Sequence, residues 1–380
     1  MSDIIYFDHA AATPLDERVL AAMQPYFATH FYNPSALYSA ARSTHQALES
    51  ARSKVAQVLG SRPSEIVFTA GGTESDNLAI SGIMRRFPNA NVVTSAVEHD
   101  AVLRPAAQYD HRVAPVLADG LIDINALDTL IDDNTVLVSI MYANNEIGTV
   151  QPINKIAKKL QILRDERRRQ NNKLPLYFHT DACQAGQFLD LHISRLGVDL
   201  LTLNGGKIYG PKQSGILYVR GGLELTPLVY GGGQERGLRS GTENVASCVG
   251  FAEALEQAQT MRHDEGRRVQ ALQQQFMQQL EQKLPRAVIN GSRKLRLPNN
   301  VHLTVPGADN ERLLIQLDEQ GILAAAGSAC SASSDEPSHV LHAIGLGDDD
   351  ARASLRFSMG RVTTADDVTR VVDALADICA

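Results

Sequence analysis

YFHTDACQAGQFLDLHISRLGVDLLTLNGGKIYGPK, residues 177–212 of the 380-residue chain, contains two short apolar runs, each leading into a polar residue of chemical interest. Leu176–Ala182 reads as a strand with Asp181 at its end. Leu200–Asn204 reads as a second strand, followed by the glycines that precede Lys207. Apolar runs of about four to eight residues bounded by turn residues mark strands buried on both faces. Four more such runs lie at Ile66–Ala70, Asn91–Val97, Val136–Ala143 and Ile216–Arg220, and helical patterns such as Ile153–Arg169 separate most of them. Strands joined by helical crossovers imply a mostly parallel sheet covered on both faces. The last two runs are close in sequence, and the PKQSG turn between them permits a hairpin. In such sheets ligands bind at the carboxyl ends of the strands.

Beyond about residue 250 the texture changes. Glu253–Leu284 reads as one or two helices with Val269, Leu272, Phe276, Leu280 and Leu284 on one stripe, and the glutamine-rich run QALQQQFMQQLEQ reads as its solvated face. Short strands such as Asn300–Val305 then alternate with helices, the pattern of a smaller α+β domain. Composition is that of a globular protein, 44% hydrophobic and 21% charged. The net charge of −7, from 36 basic and 43 acidic residues, argues against a protein that coats nucleic acid. The basic run RDERRRQNNK reads as a solvated helix end. No apolar run approaches the ~20 residues of a membrane span, and MSDIIYFDHAAATP lacks the features of a signal peptide. Cys183, Cys248, Cys330 and Cys379 form no CxxC pair, so neither a disulfide framework nor a structural zinc site is expected, and a reducing cytoplasm fits best.

Three segments carry chemistry. GGTESDN, Gly71–Asn77, follows the strand IVFTA. A strand, glycines, a hydroxyl and a helix start either cradle a phosphate on Gly72 and Thr73 or simply cap the helix. Asp181 and Lys207 stand on neighbouring strand ends. They form a structural ion pair, or they serve pyridoxal phosphate: the lysine as Schiff base, the carboxylate holding the pyridine nitrogen protonated. Cys330 lies in GSACSASSDEPS, a small-residue loop with little to pack, which makes it a candidate nucleophile. Cys183, Cys248 and Cys379 read as small apolar fillers.

Taken in order, FDHAAATP, FYNPSALY, FTAGGTESDNLAI, VEHDAV, NNEIGTVQPI, HTDACQ, KIYGPK, GGGQERGLRSGT, GSACSASSDEPSHVL and LRFSMGR resemble the NifS/IscS-like cysteine desulfurases, within the class V aminotransferase group of fold-type I pyridoxal-phosphate enzymes. The resemblance implies an α/β fold. A mostly parallel seven-stranded sheet lies in a large cofactor-binding domain over 15–255, and a smaller α+β domain from 1–14 and 256–380 carries the cysteine loop at about 324–340. It implies that Lys207 holds pyridoxal phosphate, that Asp181 meets the pyridine nitrogen, and that His99 stacks on the ring and shuttles protons. Asn145 and Gln184 would contact the phenolic oxygen. Gly72, Thr73 and Asn204 would bind the phosphate, joined by Thr242 from a partner subunit of a homodimer. Asn33 and Arg356 would hold the carboxylate of L-cysteine, and Cys330 would take its sulfur as a persulfide. The implied partners are sulfur-acceptor proteins, either an iron–sulfur scaffold that shares a [2Fe–2S] cluster with Cys330 or tRNA-thiolation factors, with no metal site and no direct nucleic-acid contact. Two positions depart from the family pattern. Gly206 stands where a histidine is usual, and Asn204 where a serine is usual; His9 and Ala12 also differ, with no mechanism attached. A selenocysteine lyase and a catalytically weak scaffold of the same fold remain the competing readings.

Overall fold

A computed structural model describes residues 4–327 and 337–380. The strands in chain order are β1 (Ile5–Tyr6), β2 (Ile66–Thr69), β3 (Asn91–Ser95), β4 (Asp110–Ala114), β5 (Thr135–Ser139), β6 (Tyr177–Asp181), β7 (Leu200–Asn204), β8 (Gly215–Val219), β9 (Val288–Ile289), β10 (Asn300–Thr304), β11 (Ile322–Leu323) and β12 (Ser354–Ser358). Seven of them form the main sheet in the order β2-β8-β7-β6-β5-β3-β4. Strand β8 runs antiparallel to both its neighbours, and the other pairings are parallel. The β7–β8 pair is the hairpin expected around PKQSG. Because β8 is antiparallel to both β2 and β7, those two point the same way and end at the same sheet edge.

All six expected strands form, trimmed by a few residues where loops begin. The seventh, β4, escaped the pattern reading. It is an edge strand whose half-exposed sequence DHRVA has no apolar run. The core strands are buried on both faces, with Val92, Val93, Leu137, Val138, Leu200 and Leu201 fully inaccessible. Burial at about 25 cal/mol per Å² of apolar surface makes this layered core the main source of stability.

One helix, Val245–Lys283, spans the region read as one or two. Asn244 caps it, accepting from Ser247 N at 3.1 Å. Its first half packs through Phe251, Leu255 and Ala258 on the core of the main sheet. Its second half packs through Val269, Leu272, Phe276 and Leu280 on the sheet β12-β10-β9, alongside Phe7 and Phe357. The glutamine run is not wholly solvated. Gln273 is buried and donates to the carbonyls of Leu297 (2.8 Å) and Asn300 (2.6 Å), so its amide closes two loose backbone acceptors. The basic run is also put to use: Arg164 reaches Leu176 O and Asp199, and Arg167 donates to Thr135 O.

The N-terminal segment joins the two parts. Strand β1 pairs with β11. His9 is buried, its Nδ1–H donating to Ser358 O at 3.1 Å, and a side chain on Gly360 would strike its ring at 2.2 Å. His9 thus fills a gap that only a glycine at 360 leaves open. Among the described residues, no helix is long and apolar enough to cross a membrane.

Candidate active site

Strands β6 and β7 pair in parallel with Asp181 opposite Thr202, so Asp181 and the turn carrying Lys207 emerge side by side. Asn204 starts that turn. Its Oδ1 accepts from Gly206 N at 3.0 Å and folds Gly205–Lys207 into one turn of 3-10 helix. The bond also fixes the amide: Nδ2 faces the start of helix Gly72–Met84, 3.6 Å from where a Gly72 side chain would begin. Lys207 Nζ donates to the carbonyls of Ala10 (2.9 Å) and Ala11 (2.5 Å), and Gln184 Nε2 donates to the same Ala10 carbonyl at 3.0 Å. Asp181 Oδ1 accepts from Cys183 N at 2.8 Å.

Strand β2 delivers the opposite wall at the same sheet edge. After it Gly71 adopts φ 126°, ψ −178°, backbone open essentially to glycine alone. Gly72 then begins the helix, and a methyl there would lie 2.7 Å from Cys183 Sγ. The helix start is therefore bare backbone with unshared N–H groups and the positive end of the helix dipole, which suits an anion. Glu74 stiffens it, accepting from Ala70 N at 2.8 Å and pairing with Arg239 at 3.0 Å.

His99 caps the helix Asp100–Ala106. Its Nδ1 accepts from Ala101 N at 3.0 Å, which places the proton of the neutral ring on Nε2. Arg356, in the middle of β12, is buried. Its Nη2 meets Asp8 Oδ1 at 2.6 Å and its Nη1 donates to Asn145 O at 3.0 Å, while Nε has no partner among the described residues.

Gly72, Thr73, His99, Asn145, Asp181, Gln184, Asn204, Lys207 and Arg356 line a single cleft of about 570 Å³, mouth included. Two expected residues are not brought there. Asn33 is exposed, its Oδ1 accepting from Ser35 N at 2.9 Å, and Thr242 is exposed beyond the segment Gly231–Gly241. Cys330 lies outside the described residues.

Sequence reasoning missed four residues. Asp76 lines the cleft one helical turn beyond Gly72, fully buried. Its burial and the nearby Asp181 push its carboxyl well above the usual carboxylate range, and its Oδ1 has no hydrogen-bond partner among the described residues. The sign was there in GGTESDN, since an aspartate on the sheet-facing side of a buried helix is costly without a role. Behind it, burial depresses His179 to about 3, so the ring is neutral, bonded to Ser139 Oγ at 2.8 Å and Thr202 Oγ1 at 3.1 Å. Cys183 is not mere filler but cleft wall, its thiol pushed up by burial. Asp8 gave no periodic signal at all.

The Asp181 carboxylate at the end of β6 calls for a ligand end that carries a proton, and the bare helix start at Gly72 calls for an anion. Beside a lysine, a phosphorylated pyridine aldehyde meets all three demands, and a mostly parallel sheet presenting them along one edge is the architecture of fold-type I pyridoxal-phosphate enzymes. The chain belongs to the aminotransferase class-V family, which it matches over residues 5–371, and within that family to the IscS- and NifS-like cysteine desulfurases. It is 41% identical to cysteine desulfurase IscS of Methanosarcina thermophila, covering 98% of this chain and 91% of that one. Among solved structures, a NifS-like protein superposes with a TM-score of 0.90 at 31% identity, covering 99% of each chain. SspA in complex with cysteine superposes with a TM-score of 0.79 at 36% identity, covering 93% of this chain and 98% of that one.

The residues present fit pyridoxal phosphate. The missing side chain of Gly72 leaves the helix start open, Asn204 Nδ2 faces it, and Asp181 lines the same cleft. The family histidine is absent at Gly206. However, φ there is not positive, and a Cβ would come no closer than 3.4 Å to Asn204 Oδ1 and 3.7 Å to Lys212 Cγ. A side chain at this position would therefore start in ordinary contact with Asn204 and Lys212.

Proposed function

We propose that this chain removes sulfur from L-cysteine, giving L-alanine and a persulfide on Cys330 that is passed to an acceptor protein. The observation that carries the reading is the convergence of Lys207, Asp181, Arg356 and the bare start at Gly72–Thr73 on one cleft. Pyridoxal phosphate, when bound, supplies an aldehyde for the substrate amine and a ring that takes up the electron pair of the α-carbon.

The chain's own residues do the rest. Gly72 and Thr73 N–H groups and Asn204 Nδ2 hold the phosphate. The Asp181 carboxylate keeps the pyridine nitrogen protonated. His99 covers the ring, its Nε2–H directed away from the capping bond. Arg356, already braced by Asp8 and Asn145 O, grips the substrate carboxylate with its remaining N–H groups; arginine suits this because its fork is planar and always charged. Lys207 Nζ would take the α-proton. The Cys330 thiolate then attacks the substrate sulfur: an S–S bond forms, the C–S bond breaks, and its electron pair stays with the carbon that becomes the methyl of alanine.

The exposed positions of Asn33 and Thr242 fit a homodimer in which each subunit completes its partner's site. An iron–sulfur scaffold, with a [2Fe–2S] cluster shared through Cys330, or a tRNA-thiolation factor would accept the sulfur in the cytoplasm. The test is a single turnover with L-cysteine and no reductant. Wild type should release one alanine per site and gain one sulfur atom on the Cys330 peptide. Cys330→Ser should bind cysteine, shown by a change in the visible spectrum, and do neither. Alanine release by Cys330→Ser at the wild-type rate would contradict the reading.

A further inference from the structure

Glu146 is only 2% exposed and follows Asn145 directly in the turn after β5. The turn is tightly built. Asn144 Oδ1 accepts from the N–H groups of Glu146 and Ile147, both at 2.9 Å, and Asn300 Nδ2 donates to Glu146 O at 2.8 Å. The backbone on either side is thus fixed, and the side chain has a fixed origin. Its Oε2 accepts from Ser338 Oγ at 2.6 Å. A methyl on Gly327 would stand 3.5 Å from the same oxygen. Gly327 and Ser338 lie just before and just after residues 328–336, the stretch that contains Cys330, so one carboxylate stands beside both of its approaches.

The neighbours on each side also lead to the active site. Before the stretch, Ala325 and Arg356 exchange backbone hydrogen bonds of 3.2 and 2.6 Å. After it, His339 Nε2–H donates to Glu98 O at 2.9 Å, next to His99. Ser338 Oγ also caps the turn that follows, accepting from Val340 N at 3.1 Å and Leu341 N at 3.4 Å, and Val340 and Leu341 bury against Val97, Met141 and Ile147. Burying a carboxylate is costly, and among the described residues Ser338 Oγ is the one group that donates to this one. An apolar side chain would pack the turn at lower cost, so a carboxylate kept here calls for a compensating role.

We infer that Glu146 is a positioning residue for sulfur transfer. Its carboxylate ties the approach at Ser338 to the turn that carries Asn145, whose carbonyl accepts from Arg356, and stands beside the approach at Gly327. The flank of the Cys330 stretch and the substrate's anchor are thereby held in one frame. The inference rests on the function proposed above, with Cys330 as the acceptor. Glu146 touches no reacting atom; it acts through Ser338.

The experiment compares Ser338→Ala, Glu146→Ala, Glu146→Gln and the Ser338→Ala/Glu146→Ala double variant as holoenzymes, with Cys330→Ser as control. Measured are KM for L-cysteine, the visible spectral change on adding L-cysteine, and the rate of persulfide formation by rapid quench and peptide mass. Misplacement by about an ångström costs up to a hundredfold in rate. Ser338→Ala and Glu146→Ala should therefore slow persulfide formation roughly ten- to a hundredfold, with KM and the spectral change within about twofold of wild type. The double variant should be no slower than the slower single. Glu146→Gln, whose carbonyl still accepts from Ser338, should recover most of the rate. Ser338→Ala is the mildest change and keeps the test open if Glu146→Ala does not fold. Rates within twofold of wild type in Ser338→Ala, losses that multiply in the double variant, or a raised KM with an unchanged rate would each overturn the inference. If Cys330→Ser releases alanine at full rate, the underlying reading fails and this inference with it; if Cys330→Ser is dead while Ser338→Ala is normal, only this inference fails.

Discussion

The floor of the cleft and its rim are built in opposite ways. The floor, made of Asp181, Asp76, Lys207 and the Gly72 helix start, hangs on strand ends and a buried helix, with Asp181 Oδ1 and Lys207 Nζ held by backbone groups around them. The rim residues Asn33 and Thr242 sit on exposed loops, making only local bonds or none, and stand away from the cleft of their own chain. The floor is therefore assembled within one chain, whereas Asn33 and Thr242 stand away from it, as the proposed homodimer requires. Cofactor chemistry should accordingly respond to substitutions in the floor whatever the oligomeric state, and to rim substitutions only through a partner.

The largest effect expected within the frame of that comparison is at Arg356, which links floor and substrate. Arg356→Ala removes the carboxylate grip and leaves Asp8 without its cation. A hydrogen bond to a charged group contributes up to about 3 kcal/mol, so kcat/KM for L-cysteine should fall about a hundredfold while the bound cofactor's visible absorption stays. Steady-state kinetics beside a spectrum of the same sample reads both.

Next comes Gly72. Its missing side chain is what keeps the helix start bare, and an alanine would meet Cys183 Sγ at 2.7 Å. Gly72→Ala should weaken pyridoxal-phosphate binding about tenfold, and adding Cys183→Ala should restore most of it by clearing the sulfur, at the scale of ~1–3 kcal/mol for overpacking. Titration of apoprotein with cofactor checks both variants. If the double variant is no better than the single, the cradle is not limited by that contact.

A smaller effect is a pH slope. Burial raises Glu98 to about 8, although Ser95 Oγ (2.5 Å) and Met141 N (2.8 Å) both bond its Oε1. The native state therefore keeps a proton that the unfolded chain loses above the ordinary glutamate range. Stability from this group is full at low pH, declines as pH rises, and levels off above about 8. His179 and His302, both depressed to about 3 by burial, act in the opposite sense below the ordinary histidine value near 6.5. Between about pH 6.5 and 8 the buried acids alone govern. Wild type should lose stability across that window by a few kcal/mol, and Glu98→Gln should flatten the fall. Chemical denaturation at three pH values measures it.

The smallest effect is at Gly206. Its φ is not positive and a Cβ there would make only ordinary contacts, so a histidine brings no backbone strain. With Asn204 Nδ2 already facing the phosphate end, Gly206→His should tighten cofactor binding by no more than about tenfold, less than one full charged hydrogen bond. An unchanged dissociation constant in a folded variant would show that this position takes no part in holding the phosphate.

How far each region was legible follows from the same contrast. The floor could be read because apolar strands stop abruptly at Asp181 and Asn204, and chemistry sits at those stops. Strand β4 could not, because an edge strand needs no apolar face. Asp76 was visible only as an oddity, its meaning supplied by the sheet behind it. Asp8, Glu146 and Gln273 gave no pattern, since each is set by contacts more than twenty residues away in sequence. Asn33 and Thr242 were named through family resemblance alone, and within one chain nothing in their surroundings distinguishes them.

The central claim is that Lys207, set beside Asp181 by adjacent strand ends, is the residue that holds the cofactor. Reducing the pyridoxal-phosphate-loaded protein with borohydride locks the cofactor onto its lysine, and peptide mapping then locates it. The account predicts the modification on Lys207, with the visible absorption lost on reduction. Modification of Lys212 instead, or a loaded protein with no lysine modified, would contradict it.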